Sequence, residues 1–108
     1  MFTSSAQAEP SAGKITEEAR ALAASEEYES AAALLRQGIA QYPESARLQL
    51  ELARVYGWQG KYVEAENIIA ELERQTPGNP DVSLVAGYLA YYQGDYAQAQ
   101  RRFASILE

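Results

Sequence analysis

The chain has neither cysteine nor histidine among its 108 residues. Without cysteine there are no disulfides, no thiolate metal sites, no cysteine nucleophile and no lipidation through that side chain. Without imidazole the commonest general base and the commonest transition-metal ligand are both missing, which removes a required part from most hydrolase and metalloenzyme mechanisms. Basic residues are also scarce: 9 Lys and Arg face 15 Asp and Glu, for a formal charge of −6. A nucleic-acid partner, which needs clustered cations to neutralise phosphates, is therefore not expected. No apolar run approaches the ~20 residues that cross a bilayer, so direct membrane insertion is not expected either. Strand patterns of useful length are lacking. The acidic runs Glu26-Glu27-Tyr28-Glu29 and Glu71-Leu72-Glu73-Arg74 have no base or metal partner beside them and are simplest as solvated helix faces. The expectation is a protein without catalytic residues, metal or cofactor.

What is present is a repeat. Tyr28, Tyr62 and Tyr96 stand 34 residues apart, as do Ala31, Ala65 and Ala99, so one structural unit is written three times. At 47% hydrophobic residues the chain can give one domain a core. The middle unit, residues 46–79, is the clearest. Its first half carries Leu48, Leu52, Ala53, Val55 and Tyr56 on one helical stripe. Gly60 ends that helix, because glycine accepts the left-handed conformation of a tight reversal. A second helix follows with Tyr62, Ala65, Ile68, Ile69 and Leu72, and Pro77 closes the unit. Asn79-Pro80 then supplies an N-cap and a proline suited to the first helical position. The third unit, residues 80–108, repeats this order through Leu84, Gly87, Tyr88, Gly94, Tyr96, Ala99 and Phe103. The first unit, about residues 12–45, is more degenerate, and Glu26 stands where the other copies have the turn glycine. Small residues recur at Ala19, Ala53 and Gly87 and at Ala31, Ala65 and Ala99, where the two backbones of a hairpin approach closely.

Six helices are predicted, near 14–25, 28–41, 46–58, 61–75, 80–92 and 95–107, in one all-α domain spanning 14–108. Residues 1–13 are small, polar and unpatterned and are expected to be flexible. Within them Ala6-Gln7-Ala8 has the small-x-small form of a signal-peptidase site, without the usual basic and apolar regions before it. Two readings stay open: a remnant of an export signal, or chance in a disordered tail.

These residues resemble the tetratricopeptide repeat family over most of the chain. The resemblance rests on the three in-register Tyr and Ala pairs, the turn glycines Gly60 and Gly94, the closing prolines Pro43 and Pro77, and Leu52-Ala53, Tyr56, Ala65 and Ile69 in the motif slots of the middle copy. It implies three tandem helix-turn-helix units forming a short right-handed α-solenoid, a non-catalytic scaffold that binds protein or peptide. Two departures stand out. Ile15, Gln49 and Ser83 occupy the early slot where a large aromatic is expected, and the third copy stops before its closing proline, as though the chain ended inside an array. The string from Leu52 to Tyr62 further resembles periplasmic repeat segments of bacterial envelope and exopolysaccharide-export proteins, which makes the expected location periplasmic, with the cytoplasm as the alternative.

In such arrays the first helix of each pair lines the concave side. The resemblance therefore places Arg20 in the first copy, Arg47, Leu50, Arg54 and Trp58 in the second, and Leu84, Tyr88, Tyr91 and Tyr92 in the third on a partner-binding groove. Arg20, Arg47 and Arg54 would form a basic band, and Trp58 with the three tyrosines an aromatic floor, the residue types enriched at binding hot spots. The competing reading is packing within the array, with the arginines paired to Glu51 or Glu17. The carboxylate clamp of chaperone-binding relatives is missing, since Thr16, Arg20, Leu50, Asp81 and Val85 occupy its sites. Beside an envelope interaction module, two further readings remain: a secretion chaperone with a capping helix of its own, and a scaffold that self-associates through Phe103, Ile106 and Leu107. The aromatic floor also leaves a polysaccharide open as the groove's ligand.

Overall fold

A computed structural model describes the backbone of residues 5–107 and the side chains of residues 11–107. Six helices follow one another: α1 (Ser5–Ala24), α2 (Tyr28–Gln41), α3 (Ala46–Trp58), α4 (Tyr62–Gln75), α5 (Pro80–Tyr92) and α6 (Tyr96–Ile106). The described residues contain no strand. Each odd-numbered helix pairs with the helix after it, and the pairs stack so that α1 lies against α3 and α3 against α5. The result is an elongated body of 50 × 30 × 20 Å.

The turns show why the period is 34 residues. In each copy one backbone N–H reaches back five residues to close the end of the first helix: Glu27 to Leu22 O (2.9 Å), Lys61 to Tyr56 O (2.8 Å) and Asp95 to Ala90 O (2.9 Å). That closure requires a left-handed residue just before the donor. Gly60 and Gly94 supply it at φ 77° and 81°, and Glu26 adopts the same conformation at φ 62°. The start signals hold as well. The Ser45 hydroxyl accepts from Leu48 N–H at 3.3 Å, and the Asn79 carboxamide oxygen accepts from Asp81 N–H at 2.8 Å, with Pro80 at the first helical position. Each of these caps satisfies a backbone donor that has no partner within the helix.

Packing follows the small-residue rows. Ala19, Ala31, Ala53 and Ala65 have no exposed surface, and Ala99 has almost none. One cluster joins the first copy to α3 through Leu35, Leu48, Leu52 and Val55, and another joins α3 and α4 to α5 through Ile69, Leu72, Val85 and Leu89. The core is thus continuous along the stack, each face buried by its neighbour.

The main departure from expectation lies at the first helix. It opens at Ser5 rather than near residue 14. Of the stretch expected to be flexible, residues 1–4 lie outside the described residues. Ala12 is buried in the first core cluster, and the Thr16 hydroxyl donates to its carbonyl at 3.0 Å. A small apolar residue such as Ala12 on the inner side leaves almost no periodic trace in the sequence.

Candidate functional site

The first helices of the three pairs lie side by side, and their outward faces bound a groove. Its N-terminal half is a hollow of about 510 Å³. Arg20 of α1, Arg47, Leu50 and Arg54 of α3, and Leu84 of α5 all line it. It continues past Arg54 into a smaller hollow of about 330 Å³ lined by Trp58, Tyr88 and Tyr92. Eight of the nine residues expected on the groove therefore share one surface.

Tyr91 does not. It lines neither of these two hollows; its ring lies 5.4 Å from that of Tyr96 and 6.3 Å from that of Tyr92, and a separate hollow of about 430 Å³ holds it with Trp58, Tyr92 and Tyr96. Neighbouring positions on a helix are about 100° apart, so Tyr91 and Tyr92 cannot both face the groove squarely. The groove takes Tyr92.

The arginines are not the free basic band that their number suggests. Glu51, only 2% exposed, stands between two of them. Its Oε1 accepts from Arg20 Nη2 at 3.1 Å, across from α1 to α3, and its Oε2 lies 3.7 Å from Arg54 Nε, one turn along the same helix. The second contact is too long for a hydrogen bond, so Glu51 Oε2 and Arg54 Nε are both buried without a hydrogen-bond partner. The carboxylate holds the Arg20 guanidinium in its charged form, through the hydrogen bond first and the charge second, and raises its pKa further above the usual arginine value. Because the Arg20 side chain is 60% exposed, this pair stabilises the fold only modestly. Its larger effect is positional: one buried carboxylate draws two guanidiniums from neighbouring helices to one spot. Arg54 borders the large hollow, the aromatic hollow and a third, beside Tyr28, that also includes Arg20. It sits at the junction of the whole groove.

Two residues of the aromatic floor, Trp58 and Tyr92, stand 34 apart. The Trp58 indole N–H donates to the Tyr92 hydroxyl at 3.2 Å, linking the ends of α3 and α5. Tyr28 sits 6.0 Å from Trp58 on one side, and Tyr88 stacks 6.2 Å from Tyr92 on the other. Tyr88 in turn meets the edge of Phe103 at 5.3 Å. These rings pack against one another, as the competing reading has it, yet Trp58, Tyr88 and Tyr92 keep 39%, 42% and 39% of their surface in solvent. Half-buried rings locked by neighbours present area at little entropic cost. Sequence reasoning missed two contributors. The pairing of Glu51 with the arginines was expected but its burial by the stacking of α1 on α3 was not, and Tyr28 reads only as a repeat marker.

A search of curated proteins finds no match to this chain. The family model described as tetratricopeptide repeat matches residues 22–88, which spans more than half of the sequence and runs from the end of α1 into α5. With the 34-residue period, the helix pairs and the recurring turn closures all in agreement, the chain belongs to the tetratricopeptide repeat family.

Proposed function

We propose that this protein is a non-catalytic interaction module that binds an extended protein segment along its inner groove, within a larger bacterial envelope or export assembly. Tetratricopeptide repeats generally mediate contacts between proteins, and the observation that carries the reading here is the half-exposed Trp58–Tyr92 pair beside Arg54. In this mechanism an apolar or aromatic side chain of the partner packs onto Trp58, Tyr88 and Tyr92, while the Arg20 and Arg54 guanidiniums orient its backbone carbonyls or acidic side chains. Glu51 has already fixed those guanidiniums, so little ordering is left for binding to supply. The described helices include none long and apolar enough to cross a membrane.

The test begins with peptides selected from a random phage-displayed library on the intact protein. Changing both Trp58 and Tyr92 to alanine should weaken the selected peptides by about 1–4 kcal/mol, from about fivefold to nearly a thousandfold. Far-ultraviolet circular dichroism should show the fold intact. Peptides that bind the double variant as tightly as the parent would refute the groove. The envelope location rests on the Ala6-Gln7-Ala8 pattern and the Leu52 to Tyr62 string. Recovery of the tagged native protein from the cytosolic fraction alone would reject it.

A further inference from the structure

The hollows of the groove differ in charge. The large one is balanced, because Arg20, Arg47 and Arg54 share its walls with Glu17, Glu51 and Asp81. The hollow beside Tyr28, of about 530 Å³, is not. It lies between α1 and α3, and its charged lining is Arg20, Arg54 and Glu51, two guanidiniums to one carboxylate. Trp58 forms a further wall. On the other side of α3, between α3 and α5, Arg54 is the one charged side chain among the described residues that line the aromatic hollow. In a chain of formal charge −6, these two adjoining hollows carry a positive balance.

The donors of the two guanidiniums are not used up. Glu51 takes a hydrogen bond from Arg20 Nη2, one of the five N–H groups that a guanidinium offers. Arg54 approaches Glu51 only to 3.7 Å, and its buried Nε has no hydrogen-bond partner. The rest of the Arg54 side chain reaches solvent and is 28% exposed. Glu51, enclosed by the helices, sets the two cations side by side from beneath. A second carboxylate arriving from the solvent side would meet both, in the charge-assisted geometry that guanidiniums favour.

We infer, resting on the groove reading above, that the partner segment brings an acidic side chain to Arg20 and Arg54 in the hollow between α1 and α3. About two or three positions away it carries an aromatic or large aliphatic side chain that enters the hollow between α3 and α5. The spacing follows from the stack. Packed helices lie about 8–10 Å apart, so the furrows on either side of α3 are separated by a similar distance. Extended chain covers it in about three residues, at ~3.3 Å each. The order follows from the linings. Between α3 and α5 a carboxylate would meet one guanidinium among Val85, Leu89 and the rings, and would give up hydration for a single partner.

The experiment starts from the peptide library selected on the intact 108-residue chain. The selected sequences should share an Asp or Glu about two or three positions from a Phe, Trp, Tyr, Leu or Met. The tightest of them is synthesised with acetylated and amidated ends, so that no terminal carboxylate stands in for the side chain. Its binding is followed by the fluorescence of Trp58, the single tryptophan of the chain. Exchange of the peptide's acid for the corresponding amide should weaken binding about tenfold or more. Arg54→Gln should weaken the acidic peptide by a similar factor and reduce the effect of the acid-to-amide exchange to within about twofold. Arg20→Gln, at a side chain that is largely exposed, should act in the same direction and decides the matter where Arg54→Gln lowers the thermal midpoint. Selected peptides without an acid at that spacing would overturn the inference, as would an exchange that costs the same on the parent and on both glutamine variants. In either case the groove itself stands as long as the Trp58→Ala and Tyr92→Ala variant still binds more weakly than the parent. A library that yields no binder would count against both readings.

Discussion

Gly87 and Phe103 form a compensated pair whose coupling can be measured. A Cβ at Gly87 would lie 2.4, 2.7 and 2.9 Å from Cε1, Cδ1 and Cζ of Phe103. In the other copies the same two positions are Ala53 with Ile69 and Ala19 with Leu35. Volume has been moved across the third hairpin, from the first helix to the second. Gly87→Ala alone gains about 1 kcal/mol of helix propensity. It must also displace a rigid ring, and overpacking of that kind costs about 1–3 kcal/mol. The net expectation is destabilisation of up to about 2 kcal/mol. Phe103→Ile alone loses buried area and should cost about 1–2 kcal/mol. In the Phe103→Ile background, however, Gly87→Ala meets a branched aliphatic, as Ala53 meets Ile69, and only the propensity gain of about 1 kcal/mol remains. The effect of the same substitution changes sign. Urea unfolding of the four proteins, compared at a common slope, gives the coupling, expected at about 1–3 kcal/mol. Additivity within about 0.5 kcal/mol would refute the compensation. The pair also reaches the groove, because Phe103 presents its ring to Tyr88. Gly87→Ala should therefore weaken selected peptides as well as the fold.

Two shorter predictions concern single positions. Glu26 holds a left-handed conformation that the other copies assign to glycine, so Glu26→Gly should stabilise the protein by about 0.5–1 kcal/mol, the left-handed penalty less the added freedom of the unfolded chain. A thermal midpoint that falls would show that Glu26 contributes more than it strains. Glu51→Val should destabilise the fold by about 1–3 kcal/mol, since the exposed Arg20 can hydrate but the buried Arg54 Nε loses the carboxylate beside it. The same change should weaken groove peptides about tenfold or more by releasing both guanidiniums. Full retention of peptide affinity would deny Glu51 its positioning role.

The fold was legible because its determinants repeat. Backbone conformation at the turns, caps at the helix starts and small residues at the closest approaches are each fixed by local sterics, and each recurs at 34-residue spacing: Ser45 with Asn79, Gly60 with Gly94, Ala31 with Ala65 and Ala99. Five of the six helices begin and end close to where those signals put them. The start of α1 escaped because residues 5–13 carry no amphipathic stripe. The groove was legible in part. Family register brings Arg20, Arg54, Trp58, Tyr88 and Tyr92 together, but their state depends on how neighbouring helices stack. Burial of Glu51 between two arginines and the seating of Tyr91 outside the two groove hollows are tertiary facts that no window of sequence contains.

The three copies also allow a comparison within one molecule, between what the scaffold needs and what recognition adds. Positions 19, 53 and 87 hold only alanine or glycine, buried on the side of the first helix that meets its hairpin partner. Positions 17, 51 and 85 are different: Glu17 is exposed, Val85 is buried in the core, and Glu51 is buried beside the groove. Packing alone is met by valine at this slot, as the third copy shows. A carboxylate in the second copy therefore does something that packing does not require, and its two neighbours identify it as the positioning of Arg20 and Arg54. The same contrast applies at positions 24, 58 and 92, where Ala24 satisfies the stack and Trp58 and Tyr92 exceed it. Side chains larger or more charged than their slot demands, gathered on one surface while the framework beneath them repeats, are the basis on which a recognition role is proposed for the groove.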